Sequence, residues 1–391
     1  MYEDFLHKIY ANHPDHIFSS SATETDNPAD LIPTIPDQGM AFVEYLIGPI
    51  ESFVFVVRPS ANKESLPIIT VRKLDIDRSD LGDLVNEFRN AIAKHLAVDR
   101  FSETGNKLYN LLIAPIATDL QGVSTLGIIP DAILWDLPFA ALRSPKLKYL
   151  VEDYSLFYAP STTSLKAIMK PVNPSVGQQP LLAMAPFANH GIGDSTRDGY
   201  APLPRSGEEI DLICMMVHGA HCYSPQAGSE TEVKTSGKNY HILHFATHGV
   251  YDAANPMYSS ILLAPGDRDD GFWTGREIAE SQLNAVLIVL SACETARGQI
   301  RFGEGPLGLS WAFFAAGSRS NLLALWEIDD QGTKELMKNF YGGLQPAVSE
   351  NKWDSLQRSQ ALRKAQLKLI SEQNWSHPYF WAGFGLIGDW R

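Results

Sequence analysis

Two motifs in the second half of the chain place reactive side chains directly after apolar segments. His248 follows HILHFAT (241–247), and Cys293 comes two residues after AVLIVLS (285–291). A free thiol, with a pKa of about 8.5, is mostly protonated at neutral pH, but a neighbouring imidazolium can lower that pKa to about 3.5–7.5. The imidazole can then donate a proton to the leaving group. The motifs therefore predict a cysteine nucleophile and a histidine acid–base, if the fold brings them together.

The pattern of the surrounding segments predicts where such a pair would meet. The run at 285–291 is continuously apolar, which is typical of a central parallel strand covered on both faces. Helical patterns at 305–317 and 333–344 alternate with the apolar strands, as in an α/β domain with a mostly parallel sheet. Active sites in such sheets lie at the carboxyl ends of the strands. Neighbouring strands would therefore bring His248 and Cys293 to the same edge.

The groups next to this pair also have candidate roles. Gly249 lets the backbone approach a substrate closely, and its amide and that of Cys293 are candidate donors to an oxyanion. A structural role is the competing interpretation, since a cysteine at a strand end often acts as a small apolar residue. Position alone leaves a catalytic pair and two structural residues as open alternatives.

Composition divides the chain into two lobes after an N-terminal segment. Residues 1–29 predict a short helix and a linker, 30–175 a first lobe, and 176–391 a second lobe. The first lobe contains two apolar runs, MAFVEYLIG and SFVFVVRPS, that predict a β-hairpin. In the second lobe, Ser206 and Glu209 predict a capping box at the start of a helix.

The charge and the cysteine content limit the possible partners and the compartment. The formal net charge is -13, and without a clustered basic stripe it disfavours nucleic acid as a direct partner. No segment approaches the roughly 18 consecutive apolar residues of a membrane span. The 3 cysteines are sparse and odd in number, which argues against a disulfide framework and for a reducing compartment. The sequence therefore predicts a cytoplasmic protein that does not use a membrane as a partner.

A series of motifs resembles those of the CHAT domain family, which is caspase-like and often fused to tetratricopeptide repeats. In order they are IIPDAILWDLPFAAL, APLPRSGEE, HFATHG, SSILLAP, VLSACETARG, FGEGPLGLSWAFFAAGSRSNLLALWEIDD and HPYFWAGFGLIGDW, and the resemblance covers roughly residues 30–391. Each motif alone is weak evidence, whereas their order and intervals are specific.

The resemblance implies the α/β fold shared by caspases and separases, with a caspase-like, mostly parallel sheet flanked by helices and an N-terminal pseudo-caspase-like lobe. It makes His248 and Cys293 the catalytic pair of a cysteine endopeptidase that cleaves protein substrates. It also implies an activating partner or a tetratricopeptide-repeat domain, and we expect neither a cofactor nor a metal. Because the loop between Cys293 and Gly305 leaves little room for an activating cleavage, we expect control by such a partner rather than by self-processing.

The segment WEIDD, which follows the next apolar run, should border the same cleft. It resembles the loop that lines the S1 pocket in caspases and separases, which makes substrate-binding candidates of Trp326, Glu327, Asp329 and Asp330. An acidic side chain there could pair with a basic P1 residue. In separases an acidic residue near this point goes with cleavage after arginine, so Asp330 is the leading candidate. The alternative is that Asp329 and Asp330 cap the helix that begins near Thr333.

Three other functions compete with the protease. GEGPLG (303–308) has the spacing of a dinucleotide-binding loop, with Glu327 in the ribose-binding position, but its glycines do not follow a strand directly. His244 and His248 are four residues apart, as some metal ligands are, but on a strand rather than a helix. The third alternative is a catalytically silent caspase-like scaffold. Such a scaffold need not retain both His248 and Cys293, and the chain has both.

Overall fold

The computed structural model of the chain covers most of both predicted lobes. It describes residues 35, 38–60, 65–169, 179–188, 199–223, 228–252, 255–291, 305–326 and 329–391. Two of the predicted site residues, Cys293 and Glu327, lie outside these ranges.

The strands of the described residues follow the apolar runs of the sequence. The predicted first lobe contains β1 (Met40–Ile47), β2 (Ser52–Arg58), β3 (Ile68–Leu74), β4 (Thr125–Ile129) and β5 (Ser155–Tyr158). The second contains β6 (Gln179–Met184), β7 (His221–Tyr223), β8 (Tyr240–Phe245), β9 (Gly249–Val250), β10 (Ser260–Leu262), β11 (Phe272–Thr274), β12 (Leu287–Leu290), β13 (Ser320–Ala324) and β14 (Phe384–Gly388). β1 and β2 are antiparallel neighbours, which confirms the predicted hairpin.

The described residues form eleven α-helices. They are α1 (Arg78–Ala93), α2 (Asp99–Leu112), α3 (Leu150–Asp153), α4 (Thr162–Ile168), α5 (Pro204–Met216), α6 (Glu230–Ser236), α7 (Gly275–Glu280), α8 (Gly305–Ala315), α9 (Asp330–Ser349), α10 (Arg358–Ile370) and α11 (Pro378–Trp381). In α1, the buried residues Leu81, Val85, Phe88 and Ile92 recur every three or four positions, which places them on one side of the helix. None of the helices in the described ranges has both the length and the apolar composition that crossing a membrane requires.

Eleven of the described strands form one large sheet, and three form a small separate one. The order in the large sheet is β3-β2-β1-β4-β5-β14-β13-β12-β8-β6-β7, and in the small sheet it is β11-β10-β9. β7, β6, β8, β12 and β13 are parallel to one another, as are β1, β4, β5 and β14, and the two groups meet where β14 lies antiparallel to β13. The predicted mostly parallel sheet is therefore confirmed. Because β5 pairs with β14, this sheet continues from one predicted lobe into the other.

The most apolar strand of the sequence lies in the interior of the large sheet. β12 pairs with β13 on one side and with β8 on the other, and every residue of β12 and β8 is buried. A strand covered on both faces needs apolar side chains on both, which explains the uninterrupted run AVLIVLS. The two segments therefore follow strands that are buried throughout.

Gly127 determines how closely two aromatic rings can pack on this sheet. It lies in β4, opposite Phe42 in β1 and Phe157 in β5, and a Cβ atom there would lie 2.5 Å from the Phe42 ring and 2.6 Å from the Phe157 ring. We expect Gly127→Ala to lower the free energy of unfolding by about 1–3 kcal/mol, the usual cost of overpacking a core.

The matched control for this prediction is Gly82→Ala in α1. An added Cβ has no neighbouring atom within 4 Å there, and alanine in a helix interior should stabilise by up to ~1 kcal/mol. Urea denaturation of both variants measures the difference. Equal stability of the two would contradict the close packing described for Gly127.

The helix that carries Glu209 begins earlier than the capping pattern predicted. α5 starts at Pro204, with Leu203 as the N-cap, because proline suits the first turn, where its missing amide hydrogen leaves no bond unmade. Ser206 lies inside the helix, and its hydroxyl donates to the carbonyl oxygen of Leu203 at 2.6 Å. The prediction of a capping box at Ser206 is therefore wrong.

The cysteine pair also departs from the expectation drawn from the cysteine count. Cys214 in α5 and Cys222 in β7 form a disulfide, with their Cα atoms 6.5 Å apart, a separation within the usual range for such bridges. They meet because α5 leads directly into β7, so that the short connection holds the two elements side by side. The cysteine count, which argued against a disulfide framework, did not predict this bridge.

Candidate active site at the carboxyl ends of β8 and β12

The strands that lead to His248 and Cys293 are neighbours in the sheet. β8 and β12 are parallel, with Phe245 opposite Leu290, and the amide of Ser291 donates to the carbonyl oxygen of Phe245 at 3.0 Å. His248 is the third residue after Phe245, and Cys293 is the third after Leu290. Cys293 itself lies outside the described residues, but adjacent strands are only about 4.8 Å apart. The two segments therefore leave the same edge of the sheet from paired positions.

The imidazole of His248 is held in one orientation by a hydrogen bond and two aromatic rings. Its Nε2 atom lies 2.7 Å from the carbonyl oxygen of Ala201. The ring packs edge-on against Phe187, with centroids 4.6 Å apart, and beside Tyr200 at 5.4 Å. Because a carbonyl oxygen only accepts, Nε2 carries the hydrogen. In the neutral ring, Nδ1 then holds the lone pair with which a histidine takes up a proton.

The backbone on either side of the histidine is anchored by the small sheet. The carbonyl oxygen of His248 accepts a hydrogen bond from the amide of Leu262 at 2.9 Å, and Gly249 lies opposite Ile261. Hydrogen-bonded and non-hydrogen-bonded pairs alternate along an antiparallel ladder. Because His248 and Leu262 are a hydrogen-bonded pair, the next pair, Gly249 and Ile261, is not hydrogen-bonded. The amide of Gly249 therefore points away from β10.

The loop after β13 gives different environments to the residues predicted to bind substrate. Trp326 is buried, and its indole N–H donates to the carbonyl oxygen of Tyr379 at 3.2 Å. Asp329 is the N-cap of α9, and one of its oxygens accepts from two amides in the first turn, each at 3.0 Å. The capping alternative therefore describes Asp329 correctly. Glu327 lies outside the described residues.

Asp330, the first residue of α9, is partly buried and does not share the capping role. Burial, followed by the negative charge of Glu209, raises the pKa of Asp330 from its ordinary 3.8 to about 6, although a hydrogen bond from the amide of Arg205 works in the opposite direction. Its carboxyl group therefore changes charge just below neutral pH.

The structure adds Glu209, which the sequence analysis had assigned to a helix cap. Glu209 is 3% exposed, with one carboxylate oxygen 2.9 Å from Nε2 of His244 and the other 3.3 Å from the hydroxyl oxygen of Ser291. Nδ1 of His244 lies 3.0 Å from the hydroxyl oxygen of Tyr341. A sequence signal for this burial existed, since Glu209 is four residues before the buried Ile213 and so shares its helix face.

The alternatives raised by the sequence can now be compared with the structure. Nδ1 of His244 lies 3.0 Å from the hydroxyl oxygen of Tyr341 and Nε2 lies 2.9 Å from a carboxylate oxygen of Glu209, so each ring nitrogen has a polar protein neighbour. In the part of the chain that the structure describes, no group of three or more histidine, cysteine or acidic side chains is arranged to hold a metal ion. Gly303 and Glu327, on which the dinucleotide alternative depends, lie outside that part.

Two curated proteins are similar to this chain in sequence. Tetratricopeptide repeat protein 28 of Mus musculus is 25% identical over 334 residues, and the protein of the same name from Homo sapiens is 26% identical over 328 residues. Each match covers 72% of this chain and 13% of the relative. The chain therefore spans a small part of the length of these relatives.

Solved structures show the fold, and a family model shows the family. Two crystal structures of the separase–securin complex from Saccharomyces cerevisiae match with TM-scores of 0.61 and 0.59, at 9% and 10% identity. They cover 97% and 92% of this chain, and 32% and 31% of the other chain. The likeness shows the caspase-like fold, and the model of the CHAT domain matches residues 102–389, which is more than half of the chain. The chain belongs to the CHAT domain family.

Proposed function

We propose that this chain is a cysteine endopeptidase of the caspase-like type, with Cys293 as the nucleophile and His248 as the acid–base. The observation that carries the proposal is the register of β8 and β12, which sends both segments out of one sheet edge from paired residues. The caspase-like fold and the membership of the CHAT domain family support the same assignment.

The proposed reaction uses the groups at this edge in turn. Nδ1 of His248 takes the thiol proton of Cys293, and the thiolate attacks the carbonyl carbon of the scissile peptide bond. The amides of Gly249 and Cys293 donate to the resulting oxyanion. The imidazolium then gives the proton to the leaving amine as the carbon–nitrogen bond breaks, and an acyl-enzyme remains. Water, deprotonated by the same histidine, hydrolyses the thioester and releases the second product.

The carbonyl group of Ala201 acts as the third member of the site in this proposal. Its hydrogen bond to Nε2 of His248, at 2.7 Å, selects the tautomer that leaves Nδ1 able to accept a proton. The same bond helps to stabilise the imidazolium that forms when Cys293 is deprotonated. In serine-protease triads a buried carboxylate performs this orienting role.

We also propose that Asp330 recognises a basic P1 side chain. Asp329 is committed to capping α9 and Trp326 is buried, whereas the carboxyl group of Asp330 is partly buried near Glu209. Glu209 in turn contacts Ser291, two residues before Cys293. Asp330 thus lies close to the segment that leads to the nucleophile, and its carboxylate can form a charged hydrogen bond with arginine or lysine.

Asp330→Asn is expected to lower kcat/KM for an arginine P1 peptide by roughly 10- to 100-fold, since hydrogen bonds to charged groups contribute about 1.5–3 kcal/mol. In the wild type, the preference for arginine over alanine at P1 should weaken as the pH falls below about 6, because protonation removes the charge of Asp330. Asp329→Asn is the matched control, since asparagine caps helices as well as aspartate does. Equal losses in the two variants would locate the selectivity elsewhere.

The activity is proposed to depend on a partner or on a tetratricopeptide-repeat domain. The relatives are named after such repeats, and the match covers only 13% of their length. A repeat domain binds extended segments along a concave surface, so it could present substrate or alter the loops at the sheet edge. Protein substrates would then be selected by two surfaces rather than one.

The cleavage of a peptide library tests the proposed function. The purified chain is compared with Cys293→Ala, and the double variant Cys214→Ala/Cys222→Ala serves as the control that retains only the proposed nucleophile. We expect turnover in the wild type and the control and none above background in Cys293→Ala. Undiminished turnover in Cys293→Ala would exclude this nucleophile, and no turnover in any of the three would favour a catalytically silent scaffold.

A further inference from the structure

Three segments that border the proposed site converge on one buried carboxylate. Glu209 lies in α5, eight residues after Ala201, whose carbonyl group holds His248. One of its oxygens contacts His244, four residues before His248 on β8, and the other contacts Ser291, two residues before Cys293. The carboxylate thus connects the segments that contain or lead to Ala201, His248 and Cys293, the three proposed members of the site.

The chemistry of these contacts defines the hydrogen positions. A carboxylate only accepts, so the hydroxyl of Ser291 donates to one oxygen of Glu209. The other oxygen lies at ion-pair distance from Nε2 of His244, 2.9 Å away, without the alignment of a hydrogen bond. Burial, and then the charge of Glu209, raises the pKa of Tyr341 well above its ordinary value, which keeps its hydroxyl neutral. That hydroxyl can donate to Nδ1 of His244 and so stabilise the tautomer with hydrogen on Nε2. The result is a chain of polar contacts that runs from Tyr341 on α9 through His244 on β8 to Glu209 on α5, and from Glu209 to Ser291 just after β12.

Because this network is buried, few arrangements of its side chains keep their polar groups paired. His244 is 0% exposed, Tyr341 1% and Glu209 3%, so water can replace none of the partners without a rearrangement of the core. A buried carboxylate that loses its polar contacts costs several kcal/mol, and the segments are therefore held where Glu209 keeps its contacts with both His244 and Ser291. The charged or titratable groups that face it are His244 from β8 and Tyr341 and Asp330 from α9.

We propose that Glu209 is the positioning residue of the site: by binding His244 and Ser291 at once, it fixes the carboxyl ends of β8 and β12 relative to α5. This inference rests on the proposed function, because it concerns the distance between His248 and Cys293. Glu209 itself touches no reacting atom. Its effect is to hold the imidazole where it stabilises the thiolate, and small displacements of reacting groups can cost on the order of 10²-fold in rate.

The rate of Cys293 alkylation by iodoacetamide, followed from pH 5 to pH 10, tests the proposal without requiring a substrate. Peptide mass mapping separates Cys293 from Cys214 and Cys222. In the wild type we expect the apparent pKa of Cys293 to lie below the ordinary value of about 8.5 and to rise towards it in His248→Ala. Glu209→Ala should shift it in the same direction and slow alkylation at pH 7 roughly 10-fold.

Conservative variants distinguish positioning from a general effect on stability. Glu209→Gln should retain most of the wild-type rate and pH profile, because the amide has the same shape and can keep the contacts with His244 and Ser291. Gly127→Ala, which should destabilise the core away from this network, should leave the profile unchanged at a temperature where it is folded. If Glu209→Ala does not fold, Ser291→Ala carries the test, with an expected slowing of about threefold from the loss of one contact.

The outcomes separate the two proposals. If the pKa of Cys293 is lowered in the wild type and raised in His248→Ala, but neither Glu209→Ala nor Ser291→Ala differs from the wild type, the positioning role is overturned and the catalytic pair stands. If Cys293 reacts as an ordinary thiol in the wild type, the pair itself is overturned, and the role of Glu209 with it.

Discussion

Replacing His248 by alanine is expected to lower kcat/KM about 10³-fold or more, the usual loss when one member of a catalytic unit is removed. Without the imidazole, the proton of Cys293 has no nearby acceptor, and the leaving amine has no donor. The carbonyl group of Ala201, which now accepts from Nε2 at 2.7 Å, would lose this partner as well. The measurement is kcat/KM on the best peptide from the library, with a thermal melt to establish that the variant is folded.

The control for this prediction is His218→Ala. His218 is exposed on the chain between α5 and β7, and it has no role in the proposed chemistry. We expect its removal to leave kcat/KM within twofold of the wild type. A folded His248→Ala variant with turnover within tenfold of the wild type would contradict the assignment of this histidine as the acid–base.

The second large effect concerns stability, and it is expected in Asp389→Asn. Asp389 is 0% exposed. One of its carboxylate oxygens lies 2.9 Å from Nε of Arg391, and the other lies 3.7 Å from Nη1 of Arg358. It also forms an ion pair with Arg319. Removing its charge leaves arginines in the core without their shared anion. Breaking a buried pair in this way typically costs about 3–5 kcal/mol of unfolding free energy.

The pH dependence of this effect has a definite sign. Burial alone would raise the pKa of Asp389, but Arg358, Arg391 and Arg319 together outweigh burial and lower it from 3.8 to about 2. The stabilisation is therefore fully present above pH 4 and is lost as the pH falls towards 2. Urea denaturation should accordingly show a large difference between the wild type and Asp389→Asn at pH 7 and a smaller one at pH 2.5.

Asp354→Asn is the matched control for the stability prediction. Asp354 also pairs with Arg319, but its side chain is 57% exposed, and exposed pairs contribute only about 0–1 kcal/mol. A loss in Asp389→Asn no larger than that in Asp354→Asn would show that the buried arginines find other partners.

The sheet and the positions of the two reactive segments could be predicted because they depend on strong local patterns. In a soluble fold, a continuous apolar run such as 285–291 is usually buried as a strand covered on both faces, and β12 is such a strand. The order of the motifs identified the family because the motifs are spread along most of the chain. The pairing of β8 with β12 was an assumption, because nothing in either segment specifies its neighbour. That pairing depends on packing between residues about 45 positions apart.

The groups that surround the histidine were harder to predict, for physical reasons that differ between them. Ala201 contributes a backbone carbonyl, which every residue type possesses, so no sequence signal could mark it. Glu209 had a plausible local role with Ser206, but the helix begins at Pro204 and turns the glutamate into the core. Asp329 and Asp330 are adjacent and chemically alike, and only the geometry of the first turn of α9 shows which of them is the cap.

The most direct test of the catalytic pair is to label the purified chain with a peptidyl electrophile that reacts with activated thiols, and to locate the adduct by peptide mass mapping. An arginine at P1 of the probe tests the proposed selectivity at the same time. We predict a single adduct at Cys293 that is lost in His248→Ala and retained in Cys214→Ala/Cys222→Ala. An adduct at Cys214 or Cys222, or labelling of Cys293 that is unchanged in His248→Ala, would contradict a cysteine nucleophile activated by His248.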